Sequence, residues 1–369
     1  MATGLLMSSI VIAGCAMTPT GRASRSLAMP SAIPPAITSV GVDPKTLHPG
    51  GQVTIRYELS QPANVRIDLV DDEGRVVRQL AAGRQIAGPQ QIIWDGRADD
   101  GTAAPGGVYR YVIRAQNAEG HDTVYDPSRD TGGEELQPRD FTFDRAAGTL
   151  QWLMPRAGFA RLRIGIEGFP HLRTLLDWEP MEAGRQSMVW DGSDQSGLLN
   201  VKDHPNLSIK LTLFAMPDNT VIVRGPRATT RSSQSPTYPP LTKREPAAYF
   251  HARHPRAVCH EVGFTIDFPE ATQRNVDGHP IVAGQIPVRV ILNERDASYL
   301  VNQRFEVVVY EGLTILFEAE EGTSPFNFLW DTSHLPPGLI VMTVNILSYD
   351  DHYGVATVPV VIERPGAST

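Results

Sequence analysis

The stretch that decides the fold covers residues 63–115: ANVRIDLVDDEGRVVRQL over residues 63–80 and QIIWDGRADDGTAAPGGVYRYVIRA over residues 91–115. Val65, Ile67 and Leu69 alternate with Arg66 and Asp68, so one face is apolar and the other polar, as a half-buried strand requires. Asp71-Asp72-Glu73-Gly74 supplies a turn, a Gly-containing link follows, and residues 91–94 form the next strand. Trp94-Asp95-Gly96 closes that strand. The indole can plug the open mouth of a small sandwich, the Asp carboxylate can accept a backbone N–H two residues on, and Gly tolerates the positive φ of the bend. Pro105-Gly106-Gly107 turns the chain again, and residues 108–115 return with Tyr109, Tyr111 and Ile113 on one face. The stretch predicts three strands joined by two turns.

The unit recurs. FARLRIGIEG at residues 159–168 is followed by RQSMVWDGSDQSG at residues 185–197; Leu162 precedes Trp190 by 28 residues, as Val65 precedes Trp94 by 29, and Gly101 and Gly197 each lie seven past their Trp. A third, looser copy reads RFEVVVYEG from Arg304 and NFLWDTSHLPPGLIVMTVNILSY from Asn327, with Thr332 where Gly96 and Gly192 stand in the others. This pattern resembles the immunoglobulin-like domain of the flagellar hook-capping protein, a β-sandwich, over about 80 residues from Ile37. The resemblance implies the domain type, not its task. The fold expected is all-β: three tandem immunoglobulin-like sandwiches after an N-terminal segment of lipoprotein type. Trp94, Asp95 and Gly96, Trp190, Asp191 and Gly192, and Trp330 and Asp331 are the structural turns.

Composition agrees with this reading. The chain of 369 residues suits two to four domains, and 32 Gly and 30 Pro fit short strands joined by turns. No apolar pattern of helical period is long enough to predict a helix beyond the N-terminus. A net charge of −8 argues against nucleic acid as a partner, because phosphate-binding faces carry a basic excess.

At the N-terminus the apolar run from Leu5 to Met17 is too short to span a bilayer. It contains Ile12-Ala13-Gly14-Cys15, which resembles the lipobox of bacterial lipoproteins and implies acylation of Cys15, although no Lys or Arg precedes the run. If Cys15 is acylated, Cys259 has no intramolecular disulfide partner, and apolar packing must hold the domains. The divisions expected are a signal segment and lipidation site at 1–15, a flexible tether at 16–36, sandwiches at 37–117, 140–224 and 263–364, an acidic linker at 118–139, an irregular linker or strap at 225–262, and a tail at 365–369. The strap is rich in Pro, Ser, Thr and Arg and is a candidate for binding a partner.

Few residues suggest chemistry. His251, His254, Cys259 and His260 are ligand types for zinc or copper within ten residues, but Pro255 breaks any helix that would align them, so no metal and no cofactor is assigned. The loop at residues 191–197 resembles a calcium loop only in its acidic start; Ser196 and Lys202 fall where Gly and a bidentate Glu belong. Trp152 and Trp178 are extra to the repeat; Trp178, among Leu175, Leu176 and Met181, is expected to pack against its own domain, and exposed indoles there would instead stack on sugars. No nucleophile elbow or phosphate loop is present in the sequence.

The expectation is a non-enzymatic, membrane-anchored accessory protein of the cell envelope, periplasmic or at the outer membrane. It would bind protein subunits of a larger bioenergetic, secretory or appendage complex through sandwich faces and the strap. A carbohydrate-binding surface lipoprotein and a metal-binding periplasmic protein are the alternatives. Cys15→Ala should abolish incorporation of a labelled fatty acid in a bacterial host and shift the chain out of the membrane fraction; label retained by the variant would remove the lipobox reading.

Overall fold

A computed structural model describes residues 33–72, 74–226, 260–301, 303–348 and 352–364. Cys15, His251, His254, Cys259, both terminal segments and most of the expected strap lie outside the described residues.

In chain order the first strands are β1 (Ile37–Asp43), β2 (Thr46–Leu47), β3 (Val53–Leu59), β4 (Ala63–Val70), β5 (Val76–Gln85), β6 (Gly88–Trp94), β7 (Gly107–Gln116) and β8 (Asp122–Tyr125). They are followed by β9 (Glu135–Leu136), β10 (Arg139–Asp144), β11 (Thr149–Met154), β12 (Gly158–Ile166), β13 (His171–Met181), β14 (Gly184–Val189), β15 (Leu207–Ala215) and β16 (Val221–Val223). The last part holds β17 (Phe264–Asp267), β18 (Ile281–Val282), β19 (Gln285–Leu292), helix α1 (Glu294–Leu300), β20 (Phe305–Glu311), β21 (Thr314–Ala319), β22 (Phe326–Asp331), β23 (Gly338–Ser348) and β24 (Tyr353–Ile362).

Each sandwich faces a three-stranded sheet with a larger one. The small sheets run β1-β3-β6, β10-β11-β14 and β17-β19-β22; the large ones run β2-β16-β7-β4-β5, β13-β12-β15-β9 and β18-β24-β23-β20-β21. Alternation decides the facing. Val53, Ile55, Tyr57 and Leu59 of β3 and Val65, Ile67 and Leu69 of β4 are all buried in one core, while Arg56 and Arg66 point to solvent. A fourth strand, β5, occupies what the sequence suggested was a link; it is the edge of its sheet and its text lacks clean alternation. Among the described residues one α-helix, α1, is started by the Asn293 side chain, which accepts the Asp296 N–H at 2.8 Å. No helix among the described residues is long and apolar enough to cross a membrane.

The third sandwich shows a complete edge: β24 runs antiparallel along β23 from Gly338 to Leu347, and β18 pairs parallel with its far side. The first sandwich fills the same position in two pieces. β8 pairs with residues 113–116 of β7, and β16 pairs with residues 107–109, with β2 parallel beyond it. Between the two pieces the chain leaves, builds the second sandwich and comes back. The second sandwich is thus an insertion within the closing strand of the first, and Val221 and Val223 belong to the first core. Its own corresponding edge is covered by β9, which precedes it.

Two expected divisions change accordingly. Residues 118–139, read as a linker, contain β8 and β9, each paired with a sandwich strand. Residues 221–223 fall within the range given to the second sandwich but pair with the first. The returning chain passes so close to the 105–107 turn that a Cβ on Gly106 would lie 2.2 Å from the Gly225 carbonyl oxygen, so the turn requires Gly there.

Val221 lies outside the hook-cap-like repeat in sequence yet is fully buried in the first core. Val221→Ala should destabilise the first sandwich by about 1–3 kcal/mol, read as faster amide exchange in β3 and β4. Exchange faster only in β11 to β15 would contradict the split-strand topology.

Candidate functional site

The three Trp corners share one construction. Trp94, Trp190 and Trp330 are buried at the ends of β6, β14 and β22. In the first two the indole N–H donates to a carbonyl three residues on, Trp94 to Arg97 and Trp190 to Ser193, both at 2.9 Å; Trp330 donates instead to the Glu311 carboxylate. The following Asp carboxylate accepts a backbone N–H in each: Arg97 on Asp95 at 3.1 Å, Ser193 on Asp191 at 2.9 Å and Ser333 on Asp331 at 3.0 Å. Gly96 and Gly192 take positive φ of 73° and 87°. Thr332 replaces that bend by holding the Gly284 carbonyl with both its N–H and its hydroxyl, each at 2.9 Å.

Trp152 and Trp178 are buried too, at 1% and 3% exposure, which removes the sugar-stacking surface on which the carbohydrate alternative stood. Trp152 belongs to the second core. Trp178 joins Val108, Phe159, Met216 and Ile222 in a separate apolar cluster that cements the first sandwich to the second. Asn219, with φ of 58°, adds a polar tie there, its amide donating to the Val40 carbonyl at 3.0 Å and to the Tyr125 hydroxyl at 2.9 Å.

His260 is the one metal candidate that is described, and it is buried against Asp296, whose other oxygen accepts the Gly263 N–H at 2.7 Å. Burial alone would raise the Asp296 carboxyl; hydrogen bonds from His260, Gly263 and Asn293 outweigh it and hold it below the usual range. This pair ties α1 to the entry of the third sandwich. Asp194, in the loop considered for calcium, is fully buried and accepts from the Leu198 and Leu199 N–H groups and the Ser196 hydroxyl, so the loop's own donors occupy its carboxylate. Among the described residues no group of three His, Cys, Asp or Glu side chains is arranged to hold a metal.

The feature the sequence did not suggest is the junction between the second and third sandwiches. Asn345 on β23 clasps the backbone of His171 on β13, accepting its N–H at 2.9 Å and donating to its carbonyl at 2.8 Å. The His171 ring is held between the Ile164 carbonyl at 3.1 Å and the Thr174 hydroxyl at 3.0 Å. Arg161 lies 5.5 Å from the ring centres of both Trp178 and Tyr353, and Arg163 4.1 Å from that of Tyr353. The Asp177 carboxylate accepts the Glu261 N–H at 3.2 Å. Burial, then the Asp177 charge, pushes the Glu261 carboxyl up to about 7; burial, then Arg163 and Arg161, pushes His171 down to about 3.

Comparisons with known proteins reach part of this molecule. Residues 45–119 match the family described as the FlgD Ig-like domain. The basal-body rod modification protein FlgD of Salmonella typhimurium (strain LT2) is 46% identical over 61 residues, 16% of this chain and 26% of that protein. FlgD of Escherichia coli K12 is 41% identical over 61 residues, again 16% of this chain and 26% of that protein. The chain spans about a quarter of the length of these relatives. A solved structure of FlgD from P. aeruginosa is 21% identical over 25% of this chain and 70% of its own, with a TM-score of 0.21. By the family match and the sequence identities to FlgD, the first sandwich resembles hook-capping-type immunoglobulin-like domains.

Glu261 and His171 set opposite pH slopes. A carboxyl protonated in the fold up to about 7, against 4.5 when free, loses stability as pH rises through that window. A His neutral in the fold down to about 3, against 6.5 when free, loses stability as pH falls below 6.5. Glu261→Gln removes the first slope. Urea denaturation should find the variant more stable than wild type at about pH 8 and losing stability steadily on acidification below 6.5; a pH profile identical to wild type would contradict the assignment.

Proposed function

We propose that this chain is a non-catalytic structural protein of the bacterial envelope, anchored to a membrane through Cys15, that docks by its sandwich faces onto a larger assembly. The observation that supports it is the match of residues 45–119 to the FlgD Ig-like domain, whose relatives are named for modifying the basal-body rod. A surface appendage is accordingly the first kind of assembly to test, ahead of a secretory or bioenergetic complex.

The build of the chain suits bracing. The closing strand shared across the insertion, the Trp178 cluster and the Asn345 clasp join neighbouring sandwiches through backbone pairing and buried contacts rather than through a bare linker. Domains joined this way hold a fixed spacing along an assembly better than beads on a flexible string.

Gentle detergent extraction of membranes from the native host, followed by size separation and identification of stoichiometric components, tests the reading. Co-migration with appendage or other envelope-complex subunits is the expected result. Recovery of the chain as a monomer at native abundance, with no stoichiometric partner after chemical cross-linking, would overturn it.

A further inference from the structure

We propose that the cavity between the second and third sandwiches binds an apolar carboxylate, the acid seated at Arg163 and Lys210 and the hydrocarbon part against Phe169 and Leu347. The site is independent of any docking role. The cavity measures about 350 Å³, within the size of small-ligand sites. Arg163 on β12 and Lys210 on β15 are directly opposed in register, so their side chains leave the same face of the sheet side by side. No Asp or Glu is among the described residues that line the cavity, in a chain carrying 41 of them and a net charge of −8. Lys210 forms no ion pair among the described residues.

Two polar groups of the wall, Asn345 and His171, are occupied. The Asn345 amide is spent on the His171 backbone, and the His171 ring on Ile164 and Thr174. With Arg163 and Lys210 as its charged side chains and an otherwise mainly apolar lining, the wall complements a monoanion with a hydrocarbon body rather than a phosphate, which would call for more donors. Burial first, and then the charges of Arg163 and Arg161, keep His171 neutral at this wall. At the rim stands Phe169, 52% exposed and held at φ of 93°, a conformation that a bulky residue adopts only under constraint. Such strain gathers where a side chain must be presented at a binding site.

The same chemistry is offered by a free organic acid and by the C-terminal carboxylate of a peptide ending in an apolar residue. Calorimetric titration of the full chain would use octanoate, octanol, and a pentapeptide ending in Leu as free acid and as amide. Octanoate should bind at least about tenfold more tightly than octanol, and the advantage should shrink in about 0.5 M salt. Lys210→Gln should weaken octanoate about fivefold and leave octanol unchanged. Lys210 is exposed, whereas Arg163 also packs on Tyr353, so the Lys variant tests the charge without disturbing the junction. Tighter binding of the peptide acid than of octanoate assigns the source to a protein chain end, and the reverse to a free acid. Equal affinity for octanoate and octanol, an unchanged octanoate affinity in Lys210→Gln, or no heat with octanoate at about 10 mM would overturn the proposal.

Discussion

The outer edge of β7 is the constraint on which the first half of the molecule depends. A strand with a buried apolar face still has a row of N–H and C=O groups along each edge, and those groups must be paired or hydrated. In the third sandwich a single ten-residue strand meets that demand along β23. In the first, β8 covers one end of β7 and β16 the other, and Arg110 lies in the interval between them with its guanidinium 3.5 Å from Asp126. Whatever folds between those two pieces must begin and end close together, and the second sandwich does so through β9 and the chain that follows Ala215.

That arrangement explains why the junctions are built so differently. Between the first and second sandwiches the joint is apolar and backbone-paired, with Trp178 and Ile222 in one cluster and β16 in the sheet. Between the second and third it is polar, resting on the Asn345 clasp, the Arg161 and Arg163 stacking and the raised carboxyl of Glu261. The first joint resembles the interior of one domain, the second an interface between two. A cavity with a positive rim is the kind of feature that the second type of joint permits.

Much of the fold is legible in the text because its signals are local. Alternation in residues 65–69, the Asp and Gly that follow Trp94 and Trp190, and the spacing between copies are all read within one hairpin or one turn. The insertion is not local. Val221-Ile222-Val223 is three apolar residues, and nothing in them states that their partner is β7, more than a hundred positions earlier. β5 escaped for a related reason: an edge strand faces solvent on one side and needs no strict pattern. Trp152 and Trp178 looked like possible ligand platforms because burial is a tertiary property. Arg163 and Lys210 gave no signal at all, since only strand register brings them side by side.

Mechanical unfolding tests the inserted topology most directly. With the chain held by its two ends in an optical trap, force reaches the second sandwich only after β16 has left β7, so the closed first sandwich shields the second. The predicted record, in every trace, shows the length step of the second sandwich after that of the first. Traces in which the second sandwich opens while the first stays folded would contradict the account.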